Sequence, residues 1–98
     1  MGWTIILENE NGYHIRTLEK EFDFYTLDKL DLNEFILLKY MDYYGDTTIN
    51  RIQLDDLQKD FEQLRSIVTN QNDIIQEVLD LINQSRETVH TYIKFYGD

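Results

Sequence analysis

Apolar and polar positions along the chain follow two different periods, and the places where one period gives way to the other divide it into elements. Trp3-Thr4-Ile5-Ile6-Leu7-Glu8 is short, β-branched and aromatic, which predicts a strand. Its nearly unbroken apolar run predicts a strand with little water on either face. Asn9-Glu10-Asn11-Gly12 supplies an Asn-Gly turn signal. Tyr13-His14-Ile15-Arg16-Thr17-Leu18 then alternates as the second strand of a hairpin, with Tyr13, Ile15 and Thr17 on one face and His14, Arg16 and Leu18 on the other. Residues 19–26 admit two readings. Phe22 and Phe24 alternate with charged positions, as in an edge strand guarded against stray pairing. They equally suit a loop that pins two aromatics onto the core.

From residue 31 the period lengthens. Asp31-Leu32-Asn33-Glu34 has capping-box spacing, which predicts a helix from about Leu32 to about Tyr44. Its apolar arc is wide (Leu32, Phe35, Ile36 and Tyr40, then Leu37, Leu38 and Met41), as in a helix covered from two sides. Leu54, Leu57, Phe61, Leu64 and Val68, spaced 3, 4, 3 and 4, predict a second helix from Gln53 or Leu54 to about Val68. Asp55, Asp56, Lys59, Asp60, Glu62, Gln63 and Ser66 face outward on it, with Asp55 and Lys59 as an i,i+4 pair. After a polar connector at residues 69–73, Asp73-Ile74-Ile75-Gln76 repeats the capping-box spacing. A third helix follows on Ile75, Val78, Leu79 and Ile82, with Ile74, Leu81 and Val89 widening its arc. Arg86 and His90 fall in its last turn, where positive charge suits the helix dipole. Thr91-Tyr92-Ile93-Lys94-Phe95-Tyr96 alternates again and predicts a terminal strand that joins the hairpin. The expected class is α+β: a small antiparallel sheet, formed by the N-terminal hairpin and the C-terminal strand, packed against about three helices in the order β-β-(β)-α-α-α-β, in one domain.

The densest polar chemistry lies between the first two helical patterns, in residues 42–53. Gly45 can end a helix, and Asp46, Thr47, Thr48 and Asn50 can turn the chain and cap the next one. The same stretch also reads as a recognition surface. Tyr43 and Tyr44, flanked by Asp42 and Asp46, offer rigid aromatic area beside negative charge, the composition of an interface anchor. As a metal site Asp42 and Asp46 are a thin ligand set, with no Cys and no adjacent His.

The chain is strongly acidic. The chain of 98 residues carries nineteen acids against nine bases, a net charge of −10. Residues 1–53 hold ten acids and five bases, and residues 54–98 nine and four, so each part nets −5. Such a distributed field repels nucleic acid and anionic membranes and draws in basic partners, although many acidic proteins use it only for solubility. A hydrophobic fraction of 42% with 13% aromatics still argues for a folded core. The chain has no Cys and no Pro, and it also lacks Ala, while Ile, Leu, Asn, Asp and Tyr abound, a bias expected of an AT-rich bacterial or phage genome. No apolar run approaches the ~18 residues of a membrane span. The first residues lack a basic signal-peptide region, and Ile6 stands where a myristoylation motif needs Ser or Thr, so a cytoplasmic protein is expected.

The inventory of reactive groups is short. The four glycines stand far apart and form no phosphate loop, there is no His-Glu-x-x-His spacing, and neither serine sits at a strand-to-helix elbow. His14, alone on a strand beside Arg16, reads as a surface or half-buried residue. No pair among the carboxylates is singled out for acid–base work. The bases never cluster into a phosphate-binding face. The expectation is therefore a protein that is not an enzyme and carries neither cofactor nor metal.

Residues 44–53, Tyr-Gly-Asp-Thr-Thr-Ile-Asn-Arg-Ile-Gln, and residues 90–98, His-Thr-Tyr-Ile-Lys-Phe-Tyr-Gly-Asp, resemble small bacterial proteins of about this length, some of which look like immunity proteins that neutralise a toxin encoded nearby. The Tyr43-Tyr44 doublet with its acids is similar in kind to the tyrosine-plus-acid hot spot of colicin nuclease immunity proteins. The chain departs from that family in having strands at both ends where the family is helical, so the likeness is one of surface. It implies a stoichiometric binder of a basic toxin or nuclease, acting by occlusion as a monomer or homodimer. Asp42, Tyr43, Tyr44 and Asp46 would anchor the partner, and Asp55, Asp56, Asp60 and Glu62 would steer it. A phage inhibitor of a host defence nuclease and a structural self-associating module are the alternatives.

Overall fold

The computed structural model describes residues 2–97. Four strands, β1 (Thr4–Asn9), β2 (His14–Thr17), β3 (Asp46–Ile49) and β4 (Thr91–Tyr96), form one antiparallel sheet in the order β2-β1-β4-β3. Two α-helices, α1 (Leu54–Ile67) and α2 (Asn72–Glu87), lie between β3 and β4 in the chain. The class is the expected α+β, with strands at both ends and helices between them. Where the first helix was expected there is instead a run of short 3-10 turns, at Leu32–Glu34 and Leu38–Tyr40, preceded by another at Phe24–Lys29.

The N-terminal hairpin forms where Asn-Gly places it. Gly12 takes φ +83°, a left-handed conformation open to it because it has no Cβ. The Asn9 side chain holds the turn by accepting from the N–H groups of Asn11 (2.9 Å) and Tyr13 (3.0 Å). Between Leu7 and Glu8 the register with β2 slips. Leu7 faces Arg16 and Glu8 faces His14, leaving Ile15 as the extra residue of a bulge. The bulge breaks the expected alternation of β2. Arg16 reaches Gln84 on α2 (3.3 Å), whereas His14 sits over Glu8 on the opposite face of the sheet (3.4 Å). β4 takes a central place, paired with β1 from Thr4–Tyr96 to Asn9–Thr91 and with β3 from Asp46–Tyr96 to Ile49–Ile93.

The core lies between one face of the sheet and the helices. Trp3, Ile5, Leu7, Ile49, Ile93 and Phe95 meet Leu54, Leu57, Phe61 and Leu64 of α1 and Ile75, Val78 and Ile82 of α2. Thr91, Ile93 and Phe95 are buried and alternate with half-buried Tyr92, Lys94 and Tyr96, as the period-2 pattern predicts. β1 is buried on both faces. On the side away from the helices Glu8 is only 2% exposed. Its carboxylate accepts a short hydrogen bond from the Tyr96 hydroxyl and lies 3.5 Å from Lys94 Nζ as well as near His14. One acid thus ties β1, β2 and β4 together on that face.

The differences from the sequence reading concentrate in residues 19–50. Residues 19–23 form a loop that crosses Trp3, with paired backbone hydrogen bonds between Trp3 and Phe22 (2.8 and 3.0 Å), and both Phe22 and Phe24 are fully buried. Of the two readings, the loop that pins aromatics is the one adopted. No α-helix forms between Leu32 and Tyr44. Asp60, expected on the outer face of its helix, is 1% exposed, and its carboxylate accepts from the backbone N–H groups of Ile36 (2.8 Å), Leu37 (2.7 Å) and Leu38 (3.1 Å). Donors that a continuous helix would direct to its own carbonyls are bound instead by a side chain from α1. Asp46, Thr47 and Thr48 do not cap a helix. They pair with β4 as an edge strand, which suits β-branched Thr-Thr-Ile.

The helix ends differ in detail. Asn50 does cap, in a reciprocal box with Gln53 that opens the short turn leading into α1. Asp73 forms no capping box, because α2 begins at Asn72, and it pairs with Lys20 at 3.8 Å. Asp55 pairs with Arg86 of α2 (2.7 Å) and not with Lys59. Arg86 keeps its predicted place in the last turn, whereas Val89 is exposed and His90 lies beyond the helix with φ 59°.

Candidate recognition site

Two short segments of like sequence meet at one end of the sheet. Asp23-Phe24-Tyr25 and Asp42-Tyr43-Tyr44 each consist of Asp, an aromatic residue and Tyr. In each, the Asp side chain accepts from the backbone N–H two residues on, at 3.0 Å for Tyr25 and 2.8 Å for Tyr44. This Asx-type turn is the local habit of Asp where helix and sheet are absent. It turns the first aromatic inward and leaves the second at the surface. Phe24 and Tyr43 stack at 4.4 Å between ring centroids with planes 16° apart. Trp3 meets Phe24 at 5.5 Å and the edge of Tyr43 at 5.9 Å. Outside this stack, the hydroxyls of Tyr25 and Tyr44 lie 3.1 Å apart, with the side chains 39% and 60% exposed.

Long-range contacts fix the pair of turns. The Trp3 indole N–H donates to the Asp42 carbonyl (3.0 Å), tying the second turn to the residue just ahead of β1. The Gly97 N–H donates to the Gly45 carbonyl (2.9 Å), tying it to the end of β4. A Cβ at Gly97 would collide with the Tyr43 carbonyl oxygen and stand 2.7 Å from that of Gly45, so the two backbones approach as only glycine permits. Gln71, just ahead of α2, accepts from the Asp23 N–H (2.7 Å) and donates to the Asp23 carbonyl (3.0 Å), which holds the first turn.

Acids rim the aromatic surface. The Tyr43 hydroxyl donates to Asp28 (3.2 Å). Burial first, then the hydrogen bond to Asp28 and the charge of that acid, push the Tyr43 phenol up to about 12. At the start of β3, Asp46 lies opposite Tyr96 in the ladder. The Tyr96 phenol is likewise pushed up to about 12, chiefly by its hydrogen bond to Glu8, then by burial and by the charges of Glu8 and Asp46. Both phenols are therefore neutral donors at ordinary pH.

The expected anchors thus divide by role. Tyr44 presents its ring, Tyr43 supports it from a half-buried position, Asp42 shapes the turn, and exposed Asp46 begins the neighbouring strand. Of the helical acids, Asp60 is inside the fold and takes no part in a surface. Asp55 is held by Arg86, half-buried Asp56 sits beside it in the first turn of α1, and Glu62 accepts from Gln58 (2.6 Å). Tyr25, Asp28 and the supporting Phe24 and Trp3 were not among the expected site residues. The repeated Asp-aromatic-Tyr triplet was the available signal for Tyr25. Among the described residues, no group of three or more His, Asp or Glu side chains could hold a metal ion, and no helix is long and apolar enough to cross a membrane. The chain matches no protein-family model, no curated protein and no solved structure.

Proposed function

We propose that this protein binds a basic protein partner and neutralises it by occlusion, as an immunity protein or inhibitor of a toxin or nuclease would. The observation that carries the reading is the doubled Asp-aromatic-Tyr turn. It holds Tyr25 and Tyr44 against a stacked Phe24–Tyr43 platform and places Asp23, Asp28 and Asp42 around them. Tyrosines braced in this way lose little conformational freedom on binding, which is what makes them effective anchors. The surrounding acids, in a chain of net charge −10, favour encounter with a positively charged surface. Asp55, Asp56 and Glu62 would contribute to that field from α1. The site would act by covering the partner's working surface, with the buried Phe24 and Trp3 keeping it rigid.

The test compares the wild-type chain with the single variants Tyr25→Ala and Tyr44→Ala, and with the double variant. Each is used to capture the product of the adjacent gene, at low and at high salt. A stoichiometric basic partner, inhibited by the wild-type chain and released by salt, is the expected result. Tyr44→Ala should weaken its binding by more than ~2 kcal/mol, roughly 30-fold, if Tyr44 is a hot spot. Wild-type affinity in a folded double variant would reject the tyrosine site. A salt-insensitive homo-oligomer with no basic partner would point to a self-associating module instead.

A further inference from the structure

The two ends of the β3–β4 ladder differ in chemistry. The tyrosines stand at the Asp46–Tyr96 end. At the other end, beyond Ile49 and Ile93, lies a cleft of about 360 Å³ between the turn that opens α1 and the turn that leads into β4. The length of β3 separates them, roughly 13 Å at ~3.3 Å per residue. The cleft walls include Arg51, Ile52, Val89, His90 and Tyr92, with no carboxylate among the lining residues. Other clefts on this acidic chain have acids in their walls: Asp23 beside Tyr25, Glu8 and Glu10 over the sheet, and Glu19 and Glu77 near Arg16.

We infer that this cleft is a docking site for an acidic segment of a partner protein, one that places an apolar side chain between carboxylates. Ile52 is 90% exposed and Val89 71%, and together they set two aliphatic side chains on one concave surface. Isolated exposed apolar residues are ordinary; these two share one cleft and so form a single apolar surface. The charge beside them is positive. The Arg51 guanidinium is steadied by donating to the Arg86 carbonyl (3.0 Å), and among the described residues no carboxylate pairs with it. His90 lies 3.7 Å from Glu10, but both side chains are well exposed, so a partner's acid can compete for the imidazole. The backbone points the same way. His90 occupies a left-handed conformation (φ 59°) that glycine adopts more easily, so its side chain is kept at a conformational cost. An apolar side chain seated between Ile52 and Val89 would bring one flanking carboxylate to the Arg51 guanidinium, a charge match absent where acids line the other clefts, and a second within reach of an N–H of the His90 imidazole.

The experiment pans a displayed random heptapeptide library on the wild-type chain, with counter-selection on the I52D/V89D double variant. Both positions are exposed, so the substitutions leave the core intact, and an unchanged thermal midpoint verifies this. Enriched peptides should carry an aliphatic or aromatic residue flanked by Asp or Glu. Synthesised, they should shift the backbone amide resonances of Ile52, Val89 and Tyr92. Affinity should fall at least tenfold with I52D and severalfold with Arg51→Ala, the latter loss shrinking as salt is added. His90→Gly should weaken binding without lowering the thermal midpoint. Tyr44→Ala should leave it unchanged, so this site can stand or fall apart from the tyrosine surface. The inference is overturned if no peptide is enriched over the counter-selected variant, if the enriched peptides are basic or uncharged, or if I52D and R51A bind them as the wild type does. It is also overturned if sedimentation shows a dimer that I52D dissolves, because the occupant would then be a second copy of the chain.

Discussion

Removing the Asp60 carboxylate should be among the most damaging single changes in this chain, although the residue lies in a helix whose neighbours Asp55, Asp56 and Glu62 are at the surface or half-buried. Its two oxygens accept from three consecutive backbone N–H groups, of Ile36, Leu37 and Leu38, at 2.7–3.1 Å, and the side chain is almost fully enclosed. A hydrogen bond to a charged group contributes about 1.5–3 kcal/mol. Three taken independently would approach the whole stability of ~5–15 kcal/mol expected of a domain this size. They are not independent, and Ile36 is exposed while Leu37 is half-buried, so water can reach part of what Asp60→Ala vacates. A loss of ~3–5 kcal/mol follows. Asp60→Asn keeps one acceptor oxygen but turns an amide N–H₂ toward remaining donors, and should cost ~2–3 kcal/mol. Urea unfolding measures both. At an m-value of roughly 1.5 kcal/mol per M, the Ala variant should lower the midpoint by ~2–3 M without changing the slope. Amide exchange at residues 36–38 should accelerate more than in the sheet. A variant Asp60→Ala within ~1 kcal/mol of wild type, with those amides still protected, would refute the claim that this carboxylate organises the segment.

Three further outcomes follow from the same contacts. Tyr43 and Tyr96 have folded-state phenols near pH 12 against about 10 when unfolded, so the unfolded chain releases these protons first. The stability they contribute is complete below pH 10 and is lost as pH rises towards 12; Tyr43→Phe and Tyr96→Phe should each flatten that decline, and each should remove one late-titrating phenol from the tyrosinate absorbance curve. Gly97→Ala must push the end of β4 away from the Tyr43 and Gly45 carbonyls, destabilising by ~1–3 kcal/mol and shifting the amide resonances of Tyr43 and Tyr44; an unperturbed spectrum would contradict the close approach. Asn50→Ala removes one half of the capping box ahead of α1 and should cost ~1 kcal/mol in thermal or urea unfolding, with Asn50→Asp close to wild type.

The elements legible from the amino-acid pattern are those whose hydrogen bonds close within themselves or with a near neighbour, and whose buried positions recur with a fixed period. β1 and β2 are joined by an Asn-Gly turn that acts locally. α1 and α2 satisfy their own backbone groups, and their apolar stripes at spacings of three and four appear without knowledge of the fold. The terminal strand alternates so cleanly that its inward face, Thr91, Ile93 and Phe95, was legible. Tyr44 was legible as an exposed aromatic beside acids, which is why the sequence pointed to the Asp42–Tyr44 turn.

The middle of the chain takes its form from partners distant in sequence. Residues 32–44 are apolar enough to look helical, yet their backbone donors are bound by a carboxylate from α1, more than twenty residues away in sequence. Asp46–Ile49 is a strand because β4, more than forty residues later, supplies its partner. Phe22 crosses Trp3 for the same reason. Asp60 illustrates the limit most sharply. In a helical pattern an acid among acids is assigned to water, because burying a charge is costly, and that cost is offset here by three donors that no local pattern reveals. The pairing of Tyr25 with Tyr44 is of the same kind. Each triplet makes its own turn from its own Asp, but only the packing of Phe24 on Tyr43 beneath Trp3 brings the two turns to one surface.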